Sequence, residues 1–236
     1  MIKDNLDGLF EKIEKSAKKS GRTGKDISLV AVTKTVSIEK IIQVIDLGVK
    51  SIGENKIQEA TGKFTALQTE AKNQCLPPAL EWHLIGHLQT NKAKYAVKMF
   101  DFIQSVDSLR LAEEIDNQAA KLGKTQNCLA EVKVSLEPTK FGLADTEITA
   151  FFENCRQYKN ITFCGIMAMA PFFEDQENAR PYFAKARNIL ETIKKHLPEP
   201  YQSNPVLSMG MSNDFETAIE EGANMVRVGS AIFRDN

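Results

Sequence analysis

Apolar residues recur along the chain in two rhythms, short runs of β-type residues and longer segments with spacings of three and four. Ile2, Leu6, Leu9, Phe10, Ile13 and Ala17 share one helical face with lysines and glutamates opposite, so residues 2 to about 20 read as an amphipathic helix packed on the main domain as a lid or prop. Residues 21–25 lack both the spacing and the following helix of a phosphate-binding loop and read as a turn. A first strand lies within residues 27–35, followed by a helix that Ser37 caps and Gly48 stops. A second strand near 49–52 opens into Gly53-Glu54-Asn55-Lys56 and another helix. Residues 71–80 make a Pro-containing connection to a third strand at 81–85 and the loop 86–92. The fourth strand, at 102–106, leads into a helix from about 107 to 122, and the fifth, at 128–134, ends in a polar loop through Lys140, Phe141 and Gly142. The sixth strand, at 161–168, precedes a long helix at about 174–196, and strands at 205–208 and 225–228 follow.

Eight apolar runs alternating with amphipathic segments call for a parallel sheet, and eight is the number that closes a (β/α)8 TIM barrel. The whole chain, residues 1–236, is expected to be this single domain with the N-terminal helix added. An open doubly wound sheet is the alternative, but it favours a Gly-rich first turn where this chain has Thr33-Lys34-Thr35.

The barrel reading tells where chemistry belongs, because active sites of this fold lie at the C-terminal ends of the strands. Lys34, Asn55, His87, Asn91, Met169, Ser208, Gly210, Gly229 and Ser230 fall on that rim. A lysine ending a buried strand sits at the edge of a low-dielectric pocket, where the neutral amine becomes accessible and can form a Schiff base; the plainer reading is a solvated lysine at a strand end. The loops after strands seven and eight, Ser208-Met209-Gly210-Met211-Ser212-Asn213-Asp214 and Gly229-Ser230-Ala231, have the small and hydroxyl residues that let backbone amides approach a phosphate, although helix capping calls for the same residues. Arg227 lies inside the apolar run 225–228, where a buried guanidinium needs an anion, a hydrogen-bonding partner, or an ion pair with Glu54 or another carboxylate. An amine nucleophile facing a phosphate cradle describes a site for a phosphorylated carbonyl compound, pyridoxal phosphate or a sugar phosphate.

Other candidates carry less. His83 and His87 run from a strand into a loop without further ligands, so His83 reads as a hydrogen-bonded barrel residue. Glu54 and Glu59 flank Asn55 too loosely for a general-acid pair, and Phe172-Phe173 reads as packing under the loop after strand six. Thirty basic against thirty-one acidic residues leave a net charge of -1, which gives no global pull toward nucleic acid or an anionic membrane. Cys75, Cys128, Cys155 and Cys164 have no metal-type spacing and suit a reduced compartment. The charged N-terminus and the lack of a spanning apolar run lead to the expectation of a cytoplasmic protein.

The motifs VAVTKT around Lys34, IGENKIQE at 52–59, WHLIGHLQTNK at 82–92, GIMAMAP at 165–171, LSMGMSNDFETAI at 207–219 and MVRVGSAIF at 225–233 occur in an order that resembles the pyridoxal phosphate homeostasis protein family of the YggS/PROSC type. The resemblance implies a single-domain, fold type III barrel similar to the N-terminal barrel of alanine racemase, with pyridoxal 5′-phosphate as cofactor. By this resemblance Lys34 would carry the cofactor as a Schiff base, and Ser208, Gly229 and Ser230 would bind its phosphate. Arg227 would lie against the phosphate or the pyridine nitrogen, and Asn55 and Met209 would line the pocket. The family often has a threonine and a Phe-Gly pair near its end; Ser230 here preserves the hydroxyl, while Phe233-Arg234 departs from the pair. Racemases complete their site with a second domain and a partner's tyrosine, for which this chain has no equivalent motif. The expectation is a monomeric carrier or regulator of vitamin B6 pools, without efficient catalysis, serving apo forms of pyridoxal phosphate enzymes. Set against it are a slow amino-acid racemase, a cofactor-free Schiff-base aldolase, for which no relay carboxylate and second lysine are evident, and a protein-binding scaffold, which leaves Lys34 and Arg227 unexplained.

Overall fold

The structure, a computed structural model, describes residues 1–73, 80–135 and 141–234, the side chains of 70–73 excepted. Its centre is a closed parallel barrel of β1 (Ser28–Val32), β2 (Ser51–Glu54), β3 (Glu81–Leu84), β4 (Phe102–Val106), β5 (Gln126–Val132), β6 (Ile161–Ala168), β7 (Val206–Ser208) and β8 (Met225–Val228), in that order. The seam closes where β8 pairs with β1, from Ser28 opposite Met225 to Ala31 opposite Val228. This excludes the open sheet.

Around the barrel lie α1 (Ile2–Lys19), α2 (Ile38–Asp46), α3 (Ile57–Asn73), α4 (Ala93–Met99), α5 (Leu109–Lys121), α6 (Asp145–Cys155), α7 (Arg180–Ile193), α8 (Phe215–Glu220) and α9 (Ser230–Phe233). The helix expected at the N-terminus is α1, which buries Ile2, Leu6, Leu9, Ile13 and Ala17 against α8 and α9 while Phe10 stays exposed. It is a prop at the end of the chain: Asn5 Nδ2 donates to the Ile232 carbonyl at 3.0 Å, and Arg22 donates to the carbonyls of Ile219, Gly222 and Ala223.

Two strands lie two residues away from their expected places. β2 runs on to Glu54, whose buried carboxylate is met by Thr33 and Lys63, and β5 starts at Gln126, whose buried amide donates to the carbonyls of Phe100 and Asp101. Polar residues with such partners sit inside strands although a sequence pattern assigns them to loops. Of the 71–80 connection, residues 71–73 belong to α3 and 74–79 lie outside the described residues. Lys140, in the loop expected after β5, also lies outside them, as does Cys75.

Side chains alternate across each strand, as the pleat requires. Ala31, Ile52, Trp82, Leu84, Ile103 and Ile166 pack outward into the main hydrophobic cluster. Inside the barrel Leu129, Cys164 and Met167 form a separate small cluster with Phe102, Met169 and Val206. The interior also holds a polar group, His83, Gln104, Glu131, Ser208 and Arg227, all buried. Cys128, Cys155 and Cys164 are free and buried, and desolvation pushes the thiols of all three up.

Candidate functional site

Lys34 lies two residues beyond Val32 and four beyond Val30, so the alternation of β1 continues to it on the barrel-facing side. The expectation of a desolvated ammonium is not met, since Lys34 is exposed. The reason is that β1 ends at Val32 and a turn lifts the lysine above the rim. That turn holds Thr35 at a φ of 61°, a left-handed conformation rare for a β-branched residue. The Thr35 amide donates to Glu59 Oε1 at 2.5 Å, and the Thr33 amide donates to the Gly53 carbonyl at 3.0 Å.

Asn55 follows Glu54 at the end of β2 and is half-buried at the barrel mouth. Gly86, after β3, lies so close that a Cβ there would stand 2.3 Å from the Asn55 carbonyl oxygen. Only glycine permits this approach of two rim loops.

Below the rim, Arg227 is only 3% exposed. It donates from one terminal nitrogen to Ser208 Oγ at 2.7 Å and from the other to the Ala168 carbonyl at 3.0 Å. Ser208 in turn donates to Gln104 Oε1 at 2.7 Å, and Gln104 Nε2 meets His83 Nδ1 at 2.8 Å. The His83 ring stacks on Phe102 at 4.8 Å, so His83 is the hydrogen-bonded barrel residue expected. Burial lowers the Arg227 guanidinium to about 10, against the pull of Glu131 and Asp214, so it stays cationic at neutral pH. Glu54 is not its partner, because Glu54 pairs with Lys63.

The loops after β7 and β8 meet beside Lys34. Ser212 Oγ accepts the amide hydrogens of Gly229 at 3.2 Å and Ala231 at 3.3 Å, so two backbone donors converge on one oxygen. Asn5, Phe172, Ser212, Asn213, Ser230, Ala231 and Arg234 line a cavity of about 480 Å³ over this point. Gly229 packs on β1, where a Cβ would come within 3.1 Å of the Val32 carbonyl oxygen. The cradle and Lys34 are therefore neighbours across the β1–β8 seam.

The strand order thus puts Lys34, Asn55, Gly229 and Ser230 at the same end of the barrel, with Ser230 lining the cavity and Lys34, Asn55 and Gly229 outside its lining, while Arg227 and Ser208 are buried inside the barrel. Met209 is wholly buried in the cluster between barrel and helices. Ser212 is the site residue that sequence reasoning missed, although its loop was singled out; an alternating serine pair at 208 and 212 was the available signal. Phe173 stacks on Tyr182 as expected, but Phe172 is 76% exposed at the cavity edge instead of packed beneath the loop.

Glu131 faces the same interior as Leu129. Burial, then repulsion from Asp107, raises its carboxyl to about 7, while Arg227 and Lys133 oppose the rise. The folded state therefore binds this proton more tightly than the unfolded chain does. Its stabilising contribution is complete below about pH 4.5 and is lost as pH rises through 7, in total roughly 3 kcal/mol. Glu131→Gln is expected to leave stability at pH 5 nearly unchanged and to raise it at pH 8, as read from urea unfolding at both pH values; equal effects at the two would contradict the shift.

Residues 5–236 match the family described as alanine racemase, N-terminal domain. A pyridoxal phosphate homeostasis protein of Aquifex aeolicus is 38% identical over 230 residues, which cover 98% of this chain and 96% of the relative. The chain belongs to the pyridoxal phosphate homeostasis protein family. The solved structure of PipY from Synechococcus elongatus PCC7942 with pyridoxal phosphate bound is 33% identical, with a TM-score of 0.82 over 99% of this chain and 100% of that one. An alanine racemase of Clostridium difficile, 15% identical with a TM-score of 0.72, shares the barrel over 60% of its own length and shows the fold alone. Among the described residues no helix is long and apolar enough to cross a membrane.

Proposed function

We propose that this chain binds pyridoxal 5′-phosphate covalently through Lys34 and acts in intracellular vitamin B6 homeostasis without efficient turnover. The observation that carries this reading is the cradle: the Gly229 and Ala231 amides already hold an oxygen, that of Ser212, beside the lysine-bearing turn. Converging N–H donors suit a phosphate. Ser212 and Ser230 would give hydroxyl donors, with Arg234 as a nearby cation at the cavity wall. Ser208 fits a supporting part better than a phosphate contact, since it is wholly buried and holds Arg227.

Bound there, the cofactor supplies an aldehyde that a primary amine can capture and a pyridine ring able to draw electrons. What the ring can do depends on Arg227. Its guanidinium is held inside the barrel by Ser208 and the Ala168 carbonyl and does not line the cradle cavity, which favours the ring nitrogen over the phosphate as its neighbour. A cation fixed there keeps a facing nitrogen unprotonated and weakens electron withdrawal, and the exposed lysine turn admits water. Both features favour holding and releasing the cofactor over racemisation. PipY, solved with pyridoxal phosphate bound, and the homeostasis protein of Aquifex aeolicus support the same reading by similarity. A monomer in the cytoplasm, passing cofactor to apo-enzymes, completes the proposal.

The test is the visible absorption of the purified protein with added pyridoxal phosphate, before and after borohydride, followed by peptide mapping and an amino-acid racemisation assay. A visible band lost on reduction, a label on Lys34 and no turnover are expected. Failure to take up the cofactor would overturn the reading, and rapid racemisation would replace the carrier with an enzyme.

A further inference from the structure

Beneath the lysine turn, on the outer side of the barrel, lies a compact group of charges between β1, β2 and α3. Lys63 on α3 is buried, and its ammonium donates to the Thr33 carbonyl at 2.6 Å, to Glu54 Oε1 at 2.8 Å and to Glu59 Oε1 at 2.6 Å. All three of its protons are used. Glu54 Oε1 also accepts from Thr33 Oγ1 at 2.5 Å, and Glu59 Oε1 from the Thr35 amide at 2.5 Å. Glu54 Oε2, buried as well, has no hydrogen-bond partner among the described residues.

A buried ion group of this kind is costly to assemble, and apolar residues of similar volume commonly give equal or greater stability. Its contacts are specific, however. They seize the backbone on both sides of Lys34, the carbonyl before it and the amide after it, and they hold Thr35 in a left-handed conformation that a free turn would leave. We propose that Lys63, Glu54 and Glu59 form a clamp that positions Lys34 to capture a carbonyl ligand. The inference rests on the proposed binding of pyridoxal phosphate. In the step served, Lys34 Nζ forms a C=N bond to the aldehyde carbon, and the carbonyl oxygen leaves as water with the two amine hydrogens. The clamp residues touch neither reactant and are positioning residues.

Glu59 is the member to change, because its side chain is 29% exposed and its loss threatens the fold least. Three measurements are needed on the full chain: the rate of the visible band on mixing with pyridoxal phosphate, borohydride trapping on Lys34, and the affinity for pyridoxine 5′-phosphate, which fills the cradle but has no aldehyde. Glu59→Ala is expected to slow capture by roughly tenfold or more while leaving the affinity for the aldehyde-free analogue unchanged. Glu59→Gln, which keeps an acceptor for the Thr35 amide, should recover most of the rate. Thr35→Gly keeps the fold, since glycine takes this φ freely, and is expected to slow capture by loosening the same turn. Wild-type rates in Glu59→Ala and Thr35→Gly would overturn the clamp, as would a parallel fall in capture and analogue affinity, which marks general damage to the site. If the unaltered protein binds the analogue but captures no aldehyde on Lys34, the underlying reading fails and the clamp with it.

Discussion

Lys34→Ala is expected to abolish borohydride-trappable pyridoxal phosphate while leaving the fold intact. The two halves of that result come from different observations. Lys34 is exposed and lies two residues beyond the end of β1, so its truncation removes no buried contact and should change stability by less than about 0.5 kcal/mol. Covalent capture, in contrast, needs an amine at this position of the rim. Lys63, the next lysine below, already spends its protons on Thr33, Glu54 and Glu59 and lies on the outer side of the barrel wall. Residual binding without a visible band is expected, because the cradle amides and Arg227 are untouched. The decisive measurement is mass mapping after reduction. An adduct of undiminished yield on another lysine in Lys34→Ala would remove Lys34 from its role and relocate the site.

The barrel was legible because outward-facing apolar residues recur with each strand, and because the seam partners 28–31 and 225–228 are themselves apolar runs. Four helices, α4, α6 and the short α8 and α9, escaped notice. In α4 the buried residues are alanines and a valine, Ala93, Ala96 and Val97, and their spacing continues to Phe100; small residues weaken the periodic contrast. In α6 the pattern Ile148, Phe151, Phe152 and Cys155 was stronger, and Asp145 and Glu147 mark its first turn. Lys34, Asn55, Gly229 and Ser230 could be assigned to the mouth from sequence because strand ends of a barrel define one face. The depth of Ser208 and Met209 could not be read this way, since the two side chains of adjacent residues point to opposite sides of β7, and only the three-dimensional register shows which side is the pocket. In sequence, Glu54 and Glu59 read only as carboxylates too loosely placed around Asn55 for a general-acid pair. Their partner is Lys63, four residues after Glu59 on the same helix, and the spacing was there to be read.

Gly165→Ala is expected to be the most damaging single-methyl change in the barrel. Gly165 on β6 has a φ of +155°, and a Cβ there would lie 1.9 Å from the Val206 carbonyl oxygen and 2.7 Å from its nitrogen and carbonyl carbon. Those atoms belong to β7, so no side-chain rotation relieves the overlap; a strand has to move. The position is special because β6 carries an extra residue here: Cys128 pairs with Phe163 but Leu129 pairs with Gly165, leaving Cys164 as a bulge. The bulge lets Cys164 and Met167 both join the inner cluster while Phe163 and Ile166 pack outward. Parting β6 from β7 would also pull on Arg227, which grips the Ala168 carbonyl of one strand and Ser208 of the other. A loss of about 4 kcal/mol or more is expected in chemical unfolding, in the range reserved for backbone strain and broken buried networks. Where the variant still folds, affinity for pyridoxine 5′-phosphate should fall with stability, because the strand that moves is the one that orients the cation. A Gly165→Ala protein of normal stability would show that β6 and β7 can separate at little cost, and the assignment of a fixed Arg227 beneath the mouth would lose its support.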